Sequence, residues 1–268
     1  MDPLRPLINA LHEEGRLRVW SLVITIFGDS VLPRGGRVPT ARLRALLSRV
    51  GVEDGALRTA LSRLGNDGWV VSERQGRNSV YQLSGSGKEK FAPATGVIYA
   101  PPAQQSRDGW AIWLGPTVSG AFALGPDIWL GRNPPRAAAD LMVFGQLSPV
   151  SDRIADRLMT EPHKAAIAAL VRDLNTLESI SPKLADAAAA RTLLVHRWRR
   201  LVLRFPELPN EVLPAEHIAH DLRARVARAY LALCPQADAW LSGDADGLSP
   251  MPAPTQEAQG RFKPMKEA

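Results

Sequence analysis

The chain has 268 residues, 33 lysines and arginines against 27 aspartates and glutamates, and one cysteine, Cys234. This length allows two or three domains, and a single cysteine excludes an internal disulfide and a cysteine-based zinc site. No uncharged apolar run reaches the roughly 18 residues of a membrane helix, and the first residues lack the order of a signal peptide, so we expect a globular cytoplasmic protein without membrane contact.

The positive charge is concentrated near the start of the chain. Residues 1–90 carry a net charge of +5, and the remaining residues carry only +1. Nucleic-acid phosphates attract such an excess because binding releases counterions. Anionic membranes and acidic partners would attract it as well, so charge alone does not decide the partner.

The first elements are predicted from periodicity. Residues 1–15 show no firm pattern and are expected to be a loose arm. The apolar run from Leu17 to Leu32 predicts a buried first helix, and Val38 a short strand. A second helix is predicted from Thr40 to Arg49, ending at Gly51, with an inner stripe of Leu43, Leu46, Leu47 and Val50.

A third helix follows, and it has two different faces. Its inner stripe has the spacing i, i+3, i+4, i+7 and consists of Leu57, Ala60, Leu61 and Leu64. Its opposite face carries hydroxyl and guanidinium groups, which suit base edges and phosphate oxygens. These candidate DNA-binding residues are Arg58, Thr59, Ser62 and Arg63. A polar helix face is also typical of simple solvent exposure.

A predicted hairpin comes directly after this helix. Residues 69–71 and 80–83 have strand character, and the turn between them is polar. Its tip would present four further candidate DNA-binding residues, Arg74, Gln75, Arg77 and Asn78. Two helices, a polar-faced helix and a basic hairpin in succession predict a winged helix-turn-helix DNA-binding domain over residues 1–91.

The rest of the chain predicts two more domains. Residues 92–108 are rich in proline and are expected to be a linker. Residues 109–180 mix strand patterns at 110–114, 127–130 and 141–144 with helical patterns at 150–159 and 162–177, which predicts a small α+β domain. Residues 181–242 are predicted to be a helical C-terminal domain, and residues 243–268 a disordered tail. The fold class is therefore multidomain α+β.

One basic cluster lies within the helical domain, on the predicted outer side of its first helix. Guanidinium groups can clamp phosphates through paired, charge-assisted bonds, which makes this cluster a candidate effector site. The arginines could equally pair with carboxylates of a neighbouring domain while Trp198 packs in the core. The cluster consists of His196, Arg197, Arg199 and Arg200.

Three blocks of the sequence together resemble the PaaX family of transcriptional repressors, which control phenylacetic acid degradation. They are SLVITIFGDSVLPRGG (21–36), LRTALSRLGNDGWVVSERQGRNSVYQLSGSGKEKF (57–91) and LLVHRWRRLVLRFPELPNEVLP (193–214). The resemblance implies a ferredoxin-like middle domain and a homodimer that binds a double-stranded DNA operator. It also implies release by an aryl-acyl-coenzyme A effector, phenylacetyl-CoA or another acyl-CoA, and no cofactor.

The chain departs from that family in its middle domain. Residues 115–126 are too short and too rich in glycine and proline for the helix that usually follows the first strand, so we expect a truncated or rearranged domain. The same domain in this family resembles small metal-dependent nucleases, which hold their metal with a carboxylate at the end of that strand. This chain has Leu114 and Gly115 at the end of that strand, and Asp108 lies before the strand instead.

We therefore expect no catalytic residues and no metal ligands. His217 and His220, near Glu216 and Asp221, have spacing that could bind zinc, but exposed polar residues at a helix start are the simpler interpretation. The predicted function is a ligand-responsive repressor of aromatic-acid catabolism. A nuclease and a winged-helix module that binds another protein are the alternatives.

Overall fold

The structure is a computed structural model that describes residues 2–13, 15, 17–75, 78–102, 109–118, 120–132, 134–148, 150–244 and 247–263. It begins with helix α1 (Arg5–Glu13), which corrects the expectation of a loose arm. Leu4, Leu7 and Leu11 are buried on one side of it. A helix of nine residues is marginal alone, so packing against the C-terminal helices stabilises it.

The next elements follow the predicted order. They are α2 (Val19–Ile26), β1 (Arg37–Pro39), α3 (Thr40–Arg49), α4 (Asp54–Asn66), β2 (Val70–Gln75) and β3 (Asn78–Leu83). Helix α2 continues into a π-helical turn (Phe27–Val31) and a 3-10 turn (Leu32–Arg34). The strands form an antiparallel sheet in the order β1-β3-β2, with Val38 opposite Tyr81, so the predicted short strand is confirmed.

Helix α5 (Gly85–Ile98) occupies part of the predicted linker, which is a correction for residues 92–98. The hydroxyl of Ser84 accepts a 2.9 Å hydrogen bond from the backbone N–H of Gly87 and caps the helix. Phe91 packs edge-on against Trp69 of the hairpin, with ring centroids 6.0 Å apart. Pro93 lies inside the helix and made the sequence look like a linker. Residues 103–108 lie outside the described part of the chain.

A four-stranded antiparallel sheet follows, in the order β5-β6-β4-β7. Its strands are β4 (Trp110–Leu114), β5 (Phe122–Gly125), β6 (Ile128–Gly131) and β7 (Leu141–Gly145). The three predicted strands are confirmed, and β5 was missed because it lies in the glycine-rich stretch. Among the described residues, no helix lies between these strands. A complete ferredoxin-like fold needs two such helices and is therefore not formed, whereas the expected absence of a helix at residues 115–126 agrees with the structure of the described residues there.

The remaining helices are α6 (Asp152–Arg157), α7 (Glu161–Glu178), α8 (Ala185–Val202) and α9 (Leu222–Ser242). Helix α7 packs against α1, α8 and α9. Trp198 and Trp240 are buried in this part of the core. None of the helices in the described ranges is both long and apolar enough to cross a membrane.

The tail is ordered at residues 243–244 and 247–263, which corrects the prediction of disorder for these residues. It contains α10 (Gln256–Gln259), and Met251 and Phe262 are buried. The backbone N–H of Thr255 donates to the carbonyl of Pro33, and that of Phe262 to the carbonyl of Tyr99, both at 2.9 Å. Two buried apolar anchors thus hold a segment whose average composition is polar.

Candidate nucleic-acid interface

Helix α4 has the two faces that its sequence predicts. Leu57, Ala60, Leu61 and Leu64 are buried, which fixes the rotation of the helix about its axis. The four polar candidates, Arg58, Thr59, Ser62 and Arg63, are exposed. An exposed row of guanidinium and hydroxyl groups on a rigid helix can contact base edges in a groove.

These four residues divide between two sides of the helix. Thr59 and Arg63 lie on the flank that faces α2 and α8, and Thr59 donates a 3.0 Å hydrogen bond to the carbonyl of Gly55. The Arg63 guanidinium is 3.6 Å from the carboxylate of Asp67 and 5.4 Å from the ring centroid of Trp20. Arg63 is therefore held by neighbours in this structure.

The β2–β3 hairpin projects beside α4. The strands pair in register from Val70 opposite Leu83 to Gln75 opposite Asn78, and the Arg74 side chain is exposed. An exposed ion pair of 2.5 Å joins Arg37 of β1 to Glu73 of β2. The side chains of the other three candidates, Gln75, Arg77 and Asn78, lie outside the described residues.

A cleft of about 1360 Å³ opens along the flank of α4. Its lining includes Trp20 near the amino-terminal end of α2 and Phe205, which follows α8. We call it the arginine cleft, because five arginines line it and no carboxylate does so among the described residues. The five are Arg18, Arg63, Arg197, Arg200 and Arg204. The sequence reasoning missed Arg18 and Arg204 because no local pattern connects them.

Three arginines, of which Arg34 and Arg42 are buried, join the front module, residues 1–91, to the rest of the chain. Arg34 donates to the carboxylate of Asp238 at 2.6 Å. Arg49 pairs with Asp186 at 2.5 Å and with Asp2 at 2.6 Å. Arg42, on α3, donates to main-chain carbonyl groups at the end of α9 and in the tail. Helix α3 and the turn after α2 are therefore held in a defined position relative to α8 and α9.

A buried carboxylate lies at the centre of this contact. Asp29 accepts hydrogen bonds from the hydroxyls of Tyr99 (2.9 Å) and Tyr230 (3.0 Å) and pairs with Arg191 and Arg261. Burial alone would raise the pKa of Asp29, but the two guanidinium groups hold it below its usual range. The only sequence signal for this network was a charge inside an otherwise apolar run.

Two family models match the chain. One, described as PaaX-like protein, matches residues 18–87. The other, described as PaaX-like protein C-terminal domain, matches residues 159–243, and the two together span more than half of the chain. The transcriptional repressor PaaX of Escherichia coli (strain K12) is 29% identical over 289 aligned residues, which cover 92% of this chain and 89% of that protein.

The chain belongs to the PaaX family. The first PaaX match runs from α2 through the hairpin, and the second from the start of α7 to the end of α9. The structure also resembles that of an uncharacterized protein, Rv0674 from Mycobacterium tuberculosis, with a TM-score of 0.50 and 18% identity. This match covers 82% of the PaaX-family chain and 97% of Rv0674, and at that identity it concerns the fold alone.

The structure gives the contacts of His196, Arg197 and Arg199, three of the candidate effector residues of this PaaX-family chain. His196 is hydrogen-bonded to the hydroxyl of Thr25 at 2.9 Å, and Arg197 pairs with the buried carboxylate of Asp173. Arg199 donates to Thr25 at 2.8 Å and to the hydroxyl of Ser21 at 2.6 Å. These three were predicted on the outer side of the helix, which is wrong. Their contacts favour the structural role.

The fourth candidate, Arg200, is exposed in the arginine cleft. Trp198 is buried, and its indole N–H donates to the carbonyl of Ile98 at 2.8 Å. Burial, together with the positive charges of Arg199 and Arg200, lowers the pKa of His196 to about 3. The His196 ring is therefore neutral at pH 7 and contributes no charge to an anion.

The alternative interpretations, a zinc site and a nuclease, depend on a few named residues. Nowhere in these ranges do three histidine, cysteine or acidic side chains group closely enough for a metal ion. His217 lies 3.8 Å from Asp156, and His220 lies 3.4 Å from Asp221. Asp108, on which the nuclease alternative depends, lies outside the described part of the chain.

Proposed function

We propose that this protein is a transcriptional repressor that binds a double-stranded DNA operator and acts by binding alone. The observation that carries the proposal is the exposed row Arg58, Thr59, Ser62 and Arg63 on a helix whose opposite face is locked in the core. The similarity to the E. coli repressor supports the same function.

In this proposal the front module is a winged helix-turn-helix. Helix α4 enters the major groove, and the hairpin residues Arg74, Gln75, Arg77 and Asn78 hold the flanking backbone or the minor groove. Contacts to phosphates position the protein, and contacts to bases select the operator. The shape of the module and the net positive charge of residues 1–90 support this arrangement.

We also propose that the repressor is a homodimer that joins at strand β7. In the described part of the chain, β7 is an edge strand of its sheet, and Leu141 and Val143 are 61% and 58% exposed. The strand has no charged residue, and an uncovered apolar edge pairs readily with another strand. A twofold axis would set β7 antiparallel to its own copy, which makes the two apolar patches identical and complementary.

The effector is proposed to be an aryl-acyl-CoA such as phenylacetyl-CoA, and the target genes those of aromatic-acid catabolism. Release follows if the effector binds better to a state whose two α4 helices no longer match the spacing of the operator half-sites. This part of the proposal comes from the family resemblance alone.

Selection of genomic fragments by the purified protein tests the proposal. The protein should retain specific fragments against excess random duplex, and phenylacetyl-CoA should release them in a band-shift titration. No preference for any fragment would contradict the repressor function. Binding that persists at saturating thioester would contradict this effector but leave DNA binding intact.

A further inference from the structure

A cavity of about 430 Å³ lies where three parts of the chain meet. The turns after α2 contribute Asp29 and Arg34 to its lining, and α8 and α9 contribute Arg191 and Tyr230 among others. We call it the tail cavity, because the tail contributes five lining residues. These are Pro254, Ala258, Gln259, Arg261 and Lys263. Its volume falls within the range of about 300–1,000 Å³ in which small-molecule sites are found.

The buried charges of the tail cavity alternate in sign. Arg34 and Arg191 both donate to the carboxylate of Asp238 at 2.6 Å, and Arg191 and Arg261 pair with Asp29 at 3.0 and 3.3 Å. The other hydrogen bonds of Arg34 and Arg261 go to neutral hydroxyl and carbonyl oxygens. Burial opposes the ionisation of Asp29, but the guanidinium groups hold its pKa below the usual range. Three cations therefore face two carboxylates at neutral pH.

One further basic group and several apolar groups complete the lining. Lys263 is exposed and forms no ion pair within the described part of the chain, so it adds a second unbalanced positive charge. Leu231, Pro235 and Pro254 supply apolar surface beside these charges. Guanidinium and ammonium groups form strong, charge-assisted bonds with carboxylate and phosphate oxygens. Because small-molecule sites combine apolar surface with a few polar groups, this lining suits an organic anion.

Residues of this lining also hold the front module against the rest of the chain. Arg34 donates to the carbonyl of Pro252 at 2.7 Å and to Asp238 at 2.6 Å. The backbone N–H of Thr255 donates to the carbonyl of Pro33 at 2.9 Å. An anion in the cavity would compete with Asp238 for guanidinium donors, because both offer negatively charged oxygens. Binding there therefore acts on the junction between the front module, α9 and the tail.

We infer that the tail cavity is the effector site of the repressor. Its ligand is a small organic anion with a carboxylate or phosphate group beside an apolar part, and binding lowers operator affinity. This inference rests on the proposed function, because it concerns the effector of the same protein. A ligand changes operator affinity only as far as it binds one position of the front module better than another. A site lined by both the front module and the helical domain allows such a difference, because its shape depends on how the two are placed.

Cys234 allows the occupancy of the tail cavity to be measured without a substitution. It is the only cysteine of the chain, it lines the cavity, and its sulfur lies 3.9 Å from a guanidinium nitrogen of Arg191. Burial raises the pKa of its thiol, so alkylation by iodoacetamide is followed at mildly alkaline pH by intact mass. The probes are phenylacetyl-CoA, phenylacetate and coenzyme A. Phenylacetyl-CoA should slow the alkylation several-fold in the folded protein and leave it unchanged in urea.

The other two probes separate the two sources of negative charge. Protection by phenylacetate would show that the cavity takes a carboxylate, and protection by coenzyme A would show that it takes phosphates. Either result supports the inference. The concentration of probe that protects half of the Cys234 thiols should match the concentration that releases half of the operator complex in a band shift.

Substitutions at two lining residues test the site by calorimetry. Lys263→Gln removes one cation and should weaken binding of the protecting probe about tenfold. Ala258→Trp fills part of the cavity and should abolish binding. Lys183→Gln and Ala253→Trp are the matched controls, because both residues are exposed and neither lines the cavity. Both controls should bind the probe as the wild type does. Two lining variants keep the test valid if one fails to fold.

Failure of the inference and failure of the proposed function give different results. If none of the three probes protects Cys234, or if both lining variants bind as the wild type does, the inference is wrong. It is also wrong if a protecting probe leaves operator affinity unchanged. If phenylacetyl-CoA releases the operator while Cys234 stays reactive, the effector binds elsewhere and the proposed function stands without the inference. If a probe protects Cys234 but the wild type prefers no genomic duplex, the proposed function fails and the cavity is an anion site without a role in repression.

Discussion

Arg42 donates a 2.6 Å hydrogen bond to the main-chain carbonyl of Trp240 and lies over the indole of the same residue, 4.8 Å from the ring centroid. The guanidinium also donates to the carbonyls of Gly243 (2.8 Å) and Ser249 (2.7 Å). Helix α3 is thereby joined to the end of α9 and to the tail. Because the Arg42 side chain is almost fully buried, this contact is shielded from water and salt.

Replacing Arg42 by methionine should destabilise the protein by about 2–4 kcal/mol. Methionine fills similar space, but several buried carbonyl groups lose their donor, and each unpaired group costs about 1–3 kcal/mol. The free energy of unfolding of Arg42→Lys should lie between those of the wild type and Arg42→Met, because an ammonium group cannot replace all the donors of the guanidinium group. Chemical denaturation measures the free energy of unfolding. Arg44→Met is the control, because Arg44 is exposed and forms an exposed ion pair with Asp54 at 3.1 Å.

Loss of a base contact and loss of a phosphate contact should have different effects on DNA affinity. Arg58→Ala should cost on the order of 1–3 kcal/mol on the operator and relax its preference at one base pair, whereas Arg74→Ala should weaken all duplexes alike. Competition band shifts with single-base operator variants separate the two effects. If Arg58→Ala lowered the affinity for all sequences equally, this arginine would contact only the DNA backbone.

The core of the front module could be predicted from the local periodicity of the sequence. Other parts could not, because they depend on contacts between residues far apart in the sequence. The stripe Leu57, Ala60, Leu61 and Leu64 fixes α4 by itself, so its exposed residues followed from the sequence. Helix α5 did not, because it depends on packing of Phe91 against Trp69. The ordered tail depends on Arg261, which donates to the carbonyl of Asp29 at 2.8 Å. No pattern in a window of residues links positions so far apart.

The arginine cleft could not be predicted from the sequence for the same reason. Its lining comes from α1, α2, α4, α7 and α8 and from residues just before α2 and just after α8, and each contributes only a few residues. The sequence did indicate a basic cluster at residues 196–200, but it placed His196, Arg197 and Arg199 at the surface. Their burial follows from partners on α2 and α7, namely Ser21, Thr25 and Asp173.

The neutral, buried His196 should make stability depend on pH. Burial, with Arg199 and Arg200, lowers its pKa to about 3 in the folded state, below the unfolded value of about 6.5. As the pH falls, the unfolded chain binds this proton first, so the contribution of His196 is complete above about pH 6.5 and is lost towards pH 3. The slope is at most about 1.4 kcal/mol per pH unit.

His196→Asn removes the titrating group while keeping a hydrogen-bonding atom near Thr25. Unfolding free energies of both proteins at several pH values between 5 and 8 test the prediction. The variant should be less stable near neutral pH but lose less stability on acidification. Parallel pH curves for the two proteins would contradict the prediction, because they would show that His196 has the same pKa in the folded and unfolded states.

Phe262 should anchor the tail to the rest of the protein. Its ring contacts those of Tyr99 and Tyr230, with centroids 5.5 and 5.1 Å away, and it is buried. Phe262→Ala should cost about 3–5 kcal/mol, the usual range for a buried phenylalanine, and should expose residues 247–263 to proteases. Limited proteolysis followed by mass spectrometry locates the cleavage. Lys263→Ala, at an exposed neighbour, should leave the cleavage pattern unchanged.

The proposed dimer gives a prediction for the edge strand. Val143→Glu places a charge in the exposed apolar face opposite Ile112, where a monomer tolerates it because water already reaches the site. Across a twofold axis the two new carboxylates would repel each other and lose water, so the variant should be monomeric by sedimentation. It should also bind a full operator more weakly while keeping affinity for an isolated half-site. Ala138→Glu, at a site before β7, serves as the charge control.

The wild type and the Val143→Glu variant should also differ in thermal unfolding if β7 forms the interface. A dimer stabilises its folded chains by mass action, so the wild-type melting temperature should rise with protein concentration. For Val143→Glu it should not, and its value should match that of the wild type at high dilution. A wild-type melting temperature independent of concentration, with a monomer in sedimentation, would contradict the β7 dimer and require another way to place two α4 helices on one operator.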